Sequence, residues 1–151
     1  MAAATDGIIV RVAGEGDLSS IAALSAQLGY PTPAADTRER YARVRAAQAG
    51  EVFVATFAAD ARVVGWTHVV PRLQLEEAPH AELAGLVVDE TVRGTGVGAA
   101  LLAAAEDWAR GQGFAAMRVR SNVVRERAHR FYEREGYVRT KSQAVLRKTL
   151  T

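Results

Sequence analysis

The chain has 151 residues, 49% hydrophobic and 24% charged, enough for one globular domain with a proper core and too short for two ordinary ones. It has no cysteine, which excludes disulfides, thiolate metal sites and a cysteine nucleophile. Three scattered histidines, His68, His80 and His129, lack the spacing of metal ligands, so no metal is expected. The net charge is +2, but residues 1–109 hold 8 Lys and Arg against 14 Asp and Glu, and residues 110–151 hold 11 against 3. So basic a final third suggests a polyanionic partner, either nucleic acid or a phosphate-bearing cofactor. No apolar run reaches membrane-spanning length, and "MAAATDG" lacks the basic-then-apolar order of a leader. A cytoplasmic protein with no membrane partner is therefore expected.

The elements follow in order. "GIIVRVA" (7–13) is β-branched and alternating, so it predicts a strand. Residues 16–30 place Leu18, Ile21, Leu24 and Leu28 at helical spacing, with Asp17 as N-cap and Pro31 and Pro33 as the stop. A short helix is predicted over 37–49, ended by Gly50. "EVFVATF" (51–57) and "VVGWTHVV" (63–70) read as strands joined by the turn "AADAR", and "HAELAGLVV" (80–88) as the next. Residues 97–110 form a helix with Val97, Leu101, Leu102, Ala105 and Trp108 along one side. "AAMRVRS" (115–121) is a strand, 125–135 a helix closed by Gly136, and 137–149 one or two last strands. The order β-α-α-β-β-β-α-β-α-β-β defines a mixed α/β fold in one domain over residues 1–151.

Between strand 80–88 and helix 97–110 lie Gly94, Gly96 and Gly98. Each glycine costs roughly 1 kcal/mol inside a helix, so helix propensity does not explain them. A strand, a glycine turn and a helix make an anion site, because the helix N-terminus presents unpaired N–H groups and about half a positive charge. The Walker A pattern fails, since no Lys follows the last glycine. Gly94, Gly96 and Ala99 formally match the dinucleotide fingerprint. That fingerprint belongs after the first strand of a doubly wound sheet, and here three or four strands precede it.

A third ligand class is acyl-coenzyme A. "VRGTGVGAAL" resembles the Arg/Gln-x-x-Gly-x-Gly/Ala signature of the GNAT superfamily of N-acetyltransferases, at Arg93, Gly96 and Gly98. "AHRFYEREGYV" (128–138) resembles that family's Ala-x-x-x-Tyr-Glu-x-x-Gly-Phe/Tyr segment, and the element order matches along essentially the whole chain. The resemblance implies a GNAT-like, mostly antiparallel sheet flanked by helices, with acetyl-CoA as cosubstrate and an amine as acceptor. It places the pyrophosphate on the backbone of Arg93, Gly94, Thr95, Gly96, Val97 and Gly98. The pantetheine would run along Leu86, Val87 and Val88 like an added strand, where the family often carries a bulge. Gly85 is the candidate for that bulge.

The same resemblance implies roles for side chains. Tyr132 matches the tyrosine near the thioester sulfur, which protonates the leaving thiolate; the alternative is a core aromatic, as Phe131 beside it is. Glu82 stands where some GNAT enzymes keep a general base, and a carboxylate in so apolar a strand is costly unless solvated, paired or functional. Asn122 resembles the asparagine that bonds pantetheine, although six residues separate it from Ala128 against the usual three, and Ser121 competes for the role. Trp66 and His68 alternate on a central strand and face either core or acceptor, while His129 reads as a solvated or locally bonded helix residue. Glu76, Glu77 and Glu82 hint at a cationic acceptor. Many family members form dimers, and the sequence neither requires nor forbids a homodimer. A non-catalytic acyl-CoA sensor is the alternative on the same fold. A nucleic-acid partner is not expected, for want of a recognition helix or exposed aromatic cluster.

Overall fold

The structure, a computed structural model, describes residues 7–121 and 123–151. The chain divides into two compact units, Met1–Arg120 and Ser121–Thr151.

The first unit holds β1 (Ile8–Val12), α1 (Leu18–Gln27), α2 (Ala34–Ala46), β2 (Glu51–Phe57), β3 (Asp60–Arg72), β4 (His80–Val88), α3 (Val97–Gly111) and β5 (Met117–Val119). Its sheet has the order β1-β2-β3-β4-β5. The first four strands pair antiparallel and β5 runs parallel to β4, as a mixed, mostly antiparallel GNAT-like sheet requires. Alternation along β2 decides which helix covers which face. Val52 and Val54 join Leu18, Ile21 and Leu24 of α1 in one apolar cluster, against which Tyr41 and Val44 of α2 also pack. Ala55 joins Val97 and Leu101 of α3 in the other, with Phe53 packed against it. Fully buried Leu101 and Leu102 each contribute about 1.5–3 kcal/mol by leaving water, which anchors the helix that follows the glycine turn.

Several boundaries differ from the sequence reading. Asp17 does not cap α1 through its side chain. It closes a preceding 3-10 turn, accepting the Gly14 N–H at 2.8 Å and pairing with Arg11 at 2.7 and 2.8 Å. Helix α2 starts at Ala34, directly after Pro33, because proline presets the backbone for a helix start. Strand β3 begins at Asp60, so the turn before it is tighter than "AADAR" suggested.

The β3–β4 ladder contains the irregularity that matters most. His68 faces Gly85 while Val69 faces Leu83, so Ala84 is an extra residue in β4. This is the bulge expected at Gly85. A Cβ on Gly85 would lie 2.8 Å from Cη2 of Trp66, so only glycine lets that indole lie against the bulged strand. On the opposite face, fully buried Thr67 donates its hydroxyl to the Gly85 carbonyl at 2.7 Å and pins the bulge. Strand β5 pairs with β4 only over Ala81, Glu82 and Leu83. Beyond the bulge, Leu86, Val87 and Val88 keep β3 on one side and meet no strand on the other among the described residues.

The second unit contains α4 (Glu126–Arg134). The one or two strands predicted over 137–149 are not formed; those residues carry neither helix nor strand. Val138, Val145, Leu146 and Leu150 are all more than 80% exposed. Alternating, β-branched sequence supplies only propensity, and a strand also needs a ladder partner and a buried face. Among the described residues that segment has neither.

Candidate active site

The turn between β4 and α3 is built in three steps. Asp89 directly follows β4 and is buried. Its carboxylate accepts the Thr91 N–H at 3.0 Å and the Thr91 hydroxyl at 2.9 Å, an Asx-type turn, and pairs with Arg62 of β3 at 2.7 Å. These contacts, the Thr91 backbone N–H first, hold the Asp89 carboxyl at about 2. A 3-10 turn over Glu90–Val92 follows, and the Thr95 hydroxyl donates to the Val92 carbonyl at 2.6 Å. Gly94 and Gly96 then take φ of +81° and +96°, left-handed values that a Cβ makes costly. Gly96 is the N-cap of α3, and no side chain caps it. Among the described residues the first N–H groups of α3 therefore lack acceptors, and they point outward with the positive end of the helix dipole. An anion fits there.

Leading to that turn is the free edge of β4. Leu86 and Val88 lean towards the α3 cluster, and Val87 is buried on the α1 side. Their open edge offers backbone groups to an extended, amide-bearing ligand, as an added strand would use them. The structure thus brings Leu86, Val87, Val88 and the segment Arg93, Gly94, Thr95, Gly96, Val97 and Gly98 into one continuous strand-edge and turn.

Glu82 lies on β4 before the bulge, its side chain 13% exposed. It is not isolated in apolar surroundings. Oε1 meets Arg120 Nε at 3.2 Å and Arg72 Nε at 3.9 Å, while Oε2 makes no hydrogen bond among the described residues. Glu77 is also paired, accepting two bonds from Arg118 at 2.9 and 3.0 Å. The carboxylates of Glu77 and Glu82, which hinted at a cationic acceptor, are therefore already engaged by arginines.

Tyr132, in the second unit, stacks edge-on against Phe131 and Tyr137, with ring centroids 5.1 and 5.8 Å away. Burial pushes its hydroxyl up to about 12, against a lowering by Arg125. It is a protonated donor at any physiological pH. Asn122 lies outside the described residues, and its competitor Ser121 is half-buried. Trp66 packs against the α1 cluster, so it is a core residue, although its indole N–H is buried with no hydrogen-bond partner among the described residues. His68 Nε2 lies 3.0 Å from the Ala49 carbonyl. His129 Nδ1 accepts from Arg139 at 3.0 Å, the local bonding expected for it. Among the described residues no cluster could hold a metal ion, and no helix is long and apolar enough to cross a membrane.

Sequence reasoning missed Arg62 and Asp89, the pair that ties down the turn, and the arginines around Glu82. Asp89-x-Thr91 is a readable Asx-turn signal. Arg62, 27 residues away, gives no local signal at all.

A sheet splayed by a bulge, followed by a glycine turn on a helix N-terminus, is an architecture for holding an extended, phosphate-ended ligand. The acetyltransferase (GNAT) family matches residues 19–137. The uncharacterized N-acetyltransferase YhdJ of Bacillus subtilis is 38% identical over 63 residues, which is 42% of this chain and 44% of that protein. The aminoalkylphosphonate N-acetyltransferase of Salmonella typhimurium is 39% identical over 79 residues, 52% of this chain and 51% of the relative. The chain's matches thus span about half the length of these curated relatives. Among solved structures, the aminoglycoside N-acetyltransferase AAC(6')-Iy in complex with CoA superposes with a TM-score of 0.84 at 20% identity, covering 95% of each chain. This chain belongs to the GNAT family of acetyltransferases.

Proposed function

We propose that the protein is an acetyl-CoA-dependent N-acetyltransferase that works as one catalytic domain over residues 1–151 and moves an acetyl group directly to a primary amine. The observation that carries this is the open edge of β4 after the bulge, running straight into an uncapped helix N-terminus. Pantetheine would bond along Leu86–Val88, and the pyrophosphate would rest on the N–H groups of residues 93–98. Asn122 would add a bond to the pantetheine arm, as its match to the family motif implies.

In the transfer, the amine nitrogen attacks the thioester carbonyl carbon, the new C–N bond forms, and the C–S bond breaks. The amine gives up a proton and the thiolate takes one, and two side chains carry these transfers. Glu82 is the base: Arg120 and Arg72 fix Oε1, and Oε2 stays open to receive the proton. Tyr132 is the acid, on the strength of its motif and its fully protonated hydroxyl. The relatives' names point to acceptors of opposite character, a polycationic aminoglycoside and an aminoalkylphosphonate, which carries an anion.

Thiol release from acetyl-CoA across a panel of amines tests the activity. Acetylation of at least one primary amine, with a mass gain of one acetyl group, is the expected result. Tight coenzyme A binding with no transfer to any amine would make the protein a sensor instead.

A further inference from the structure

Strand register gathers an unbalanced set of charges on one face of the sheet. Val70 faces Glu82 and Arg72 faces His80 across β3–β4, and Glu82 faces Arg118 across β4–β5. Residues two apart on a strand share a face, so Arg72, Glu82, Arg118 and Arg120 lie together, on the side where Trp66 packs against the α1 cluster. Among the described residues three guanidinium groups here meet two carboxylates. Glu77 takes up Arg118 through both oxygens, leaving Arg72 and Arg120 to share the single oxygen Oε1 of Glu82. At 3.9 Å Arg72 is too far for a hydrogen bond, and its Nε is buried without a partner among the described residues. Arg120 bonds Glu82 through Nε alone, and its side chain is 52% exposed. Donors and positive charge are both in surplus.

We propose that this surplus selects the acceptor: an amine that also carries an acid group, phosphonate or carboxylate, with Arg120 and Arg72 holding the anion. The proposal rests on the N-acetyltransferase reading and names its substrate class. Arg120 has room to turn from Glu82 to the incoming anion. A simple alkylamine would leave Arg120 on the carboxylate. A polycation would add charge to a site that is already positive and unfilled, which is costly when like charges are partly desolvated. Arg120 is in this scheme a positioning residue that binds the acid group of the acceptor.

Acceptor binding in the presence of free coenzyme A tests this without turnover. By calorimetry, 2-aminoethylphosphonate and β-alanine should bind at least tenfold more tightly than propylamine or spermidine, and their order distinguishes phosphonate from carboxylate. Arg120→Gln should erase the preference, and Arg120→Lys should restore part of it, with melting curves confirming both fold. In the transfer assay, Arg120→Gln should raise KM for the anionic amine at least tenfold more than it changes KM for propylamine. Equal or tighter binding of propylamine or spermidine by the wild type, no binding of either anionic amine, or an undiminished preference in Arg120→Gln would overturn the proposal. The predicted binding order without acetylation of any amine would instead overturn the enzyme reading and leave this one standing.

Discussion

Tyr132 and Glu82 are one-atom hypotheses, and each has a near-isosteric test. Tyr132→Phe keeps the ring and its edge-on contacts with Phe131 and Tyr137 but removes the proton donor. Turnover should fall roughly 10²-fold, within the range for one acid–base group, with coenzyme A affinity and melting temperature nearly unchanged. Because burial holds the wild-type hydroxyl at about 12, Tyr132 should produce no alkaline fall in turnover below pH ~10. The folded value is raised, so the stability linked to the neutral phenol is intact below ~10 and lost as pH climbs towards 12. Glu82→Gln keeps the shape but cannot take a proton, so its defect should shrink as pH rises and the acceptor arrives deprotonated. A pH-independent loss would make Glu82 an acceptor-binding group. Full activity in Tyr132→Phe would leave Tyr132 a packing residue. Tyr132 drew notice through its motif and Glu82 as a carboxylate in an apolar strand. Their surroundings were not legible, since strand register, invisible to local pattern, decides that Arg72 and Arg120 converge on one oxygen.

Elements whose pattern and partners agree came through almost residue for residue: β2, β4 and α3 lie where alternation and helical spacing put them, and the bulge falls beside the glycine in β4. Strands expected over 137–149 did not form, because alternation supplies propensity alone and those residues carry no strand pairing among the described residues. The β4–α3 turn falls between these cases, since its glycines and its Asp89-x-Thr91 signal are readable and the Arg62 half of its latch is not. Gly96→Asp should abolish the melting-temperature rise given by coenzyme A, since it puts a Cβ at φ +96° and a negative charge where an anion would sit. A rise with NAD or ATP instead, and none with coenzyme A in the wild type, would sink the cofactor assignment. Asp89→Ala should cost about 1–2 kcal/mol, because Thr91 loses its cap and Arg62 loses its hydrogen-bonded carboxylate and keeps only Asp60 at 3.9 Å. It should also weaken coenzyme A binding although Asp89 lies outside residues 93–98. The carboxyl is held at about 2 against an ordinary 3.8, so the unfolded chain binds more protons between those values. The stability Asp89 gives is present above pH ~4 and lost as pH falls towards 2. The wild type should therefore melt progressively lower across that window, and Asp89→Ala should show a shallower decline; parallel curves would assign acid sensitivity elsewhere.

At the scale of the whole chain, charge is divided unevenly, with 11 Lys and Arg against 3 Asp and Glu in residues 110–151 and 8 against 14 before them. Part of the basic group is already engaged: Arg118 with Glu77, Arg120 with Glu82, Arg110 with Asp107 and Arg139 with His129. Exposed pairs such as Arg110–Asp107 are worth little and leave the long-range field almost intact. A cofactor bearing a pyrophosphate and a 3'-phosphate would feel that field, and salt with a Debye length of about 8–10 Å would screen it. Coenzyme A affinity should therefore fall as salt rises from 50 to 500 mM, and dephospho-coenzyme A should bind more weakly with a shallower salt slope. The two ligands share everything except one phosphate, so the difference between their slopes isolates the charge term from the backbone contacts of the turn. Identical slopes would mean that the basic third does not act on that phosphate. Tight binding of duplex DNA at physiological salt, with a steep slope of its own, would reassign the basic residues to nucleic acid.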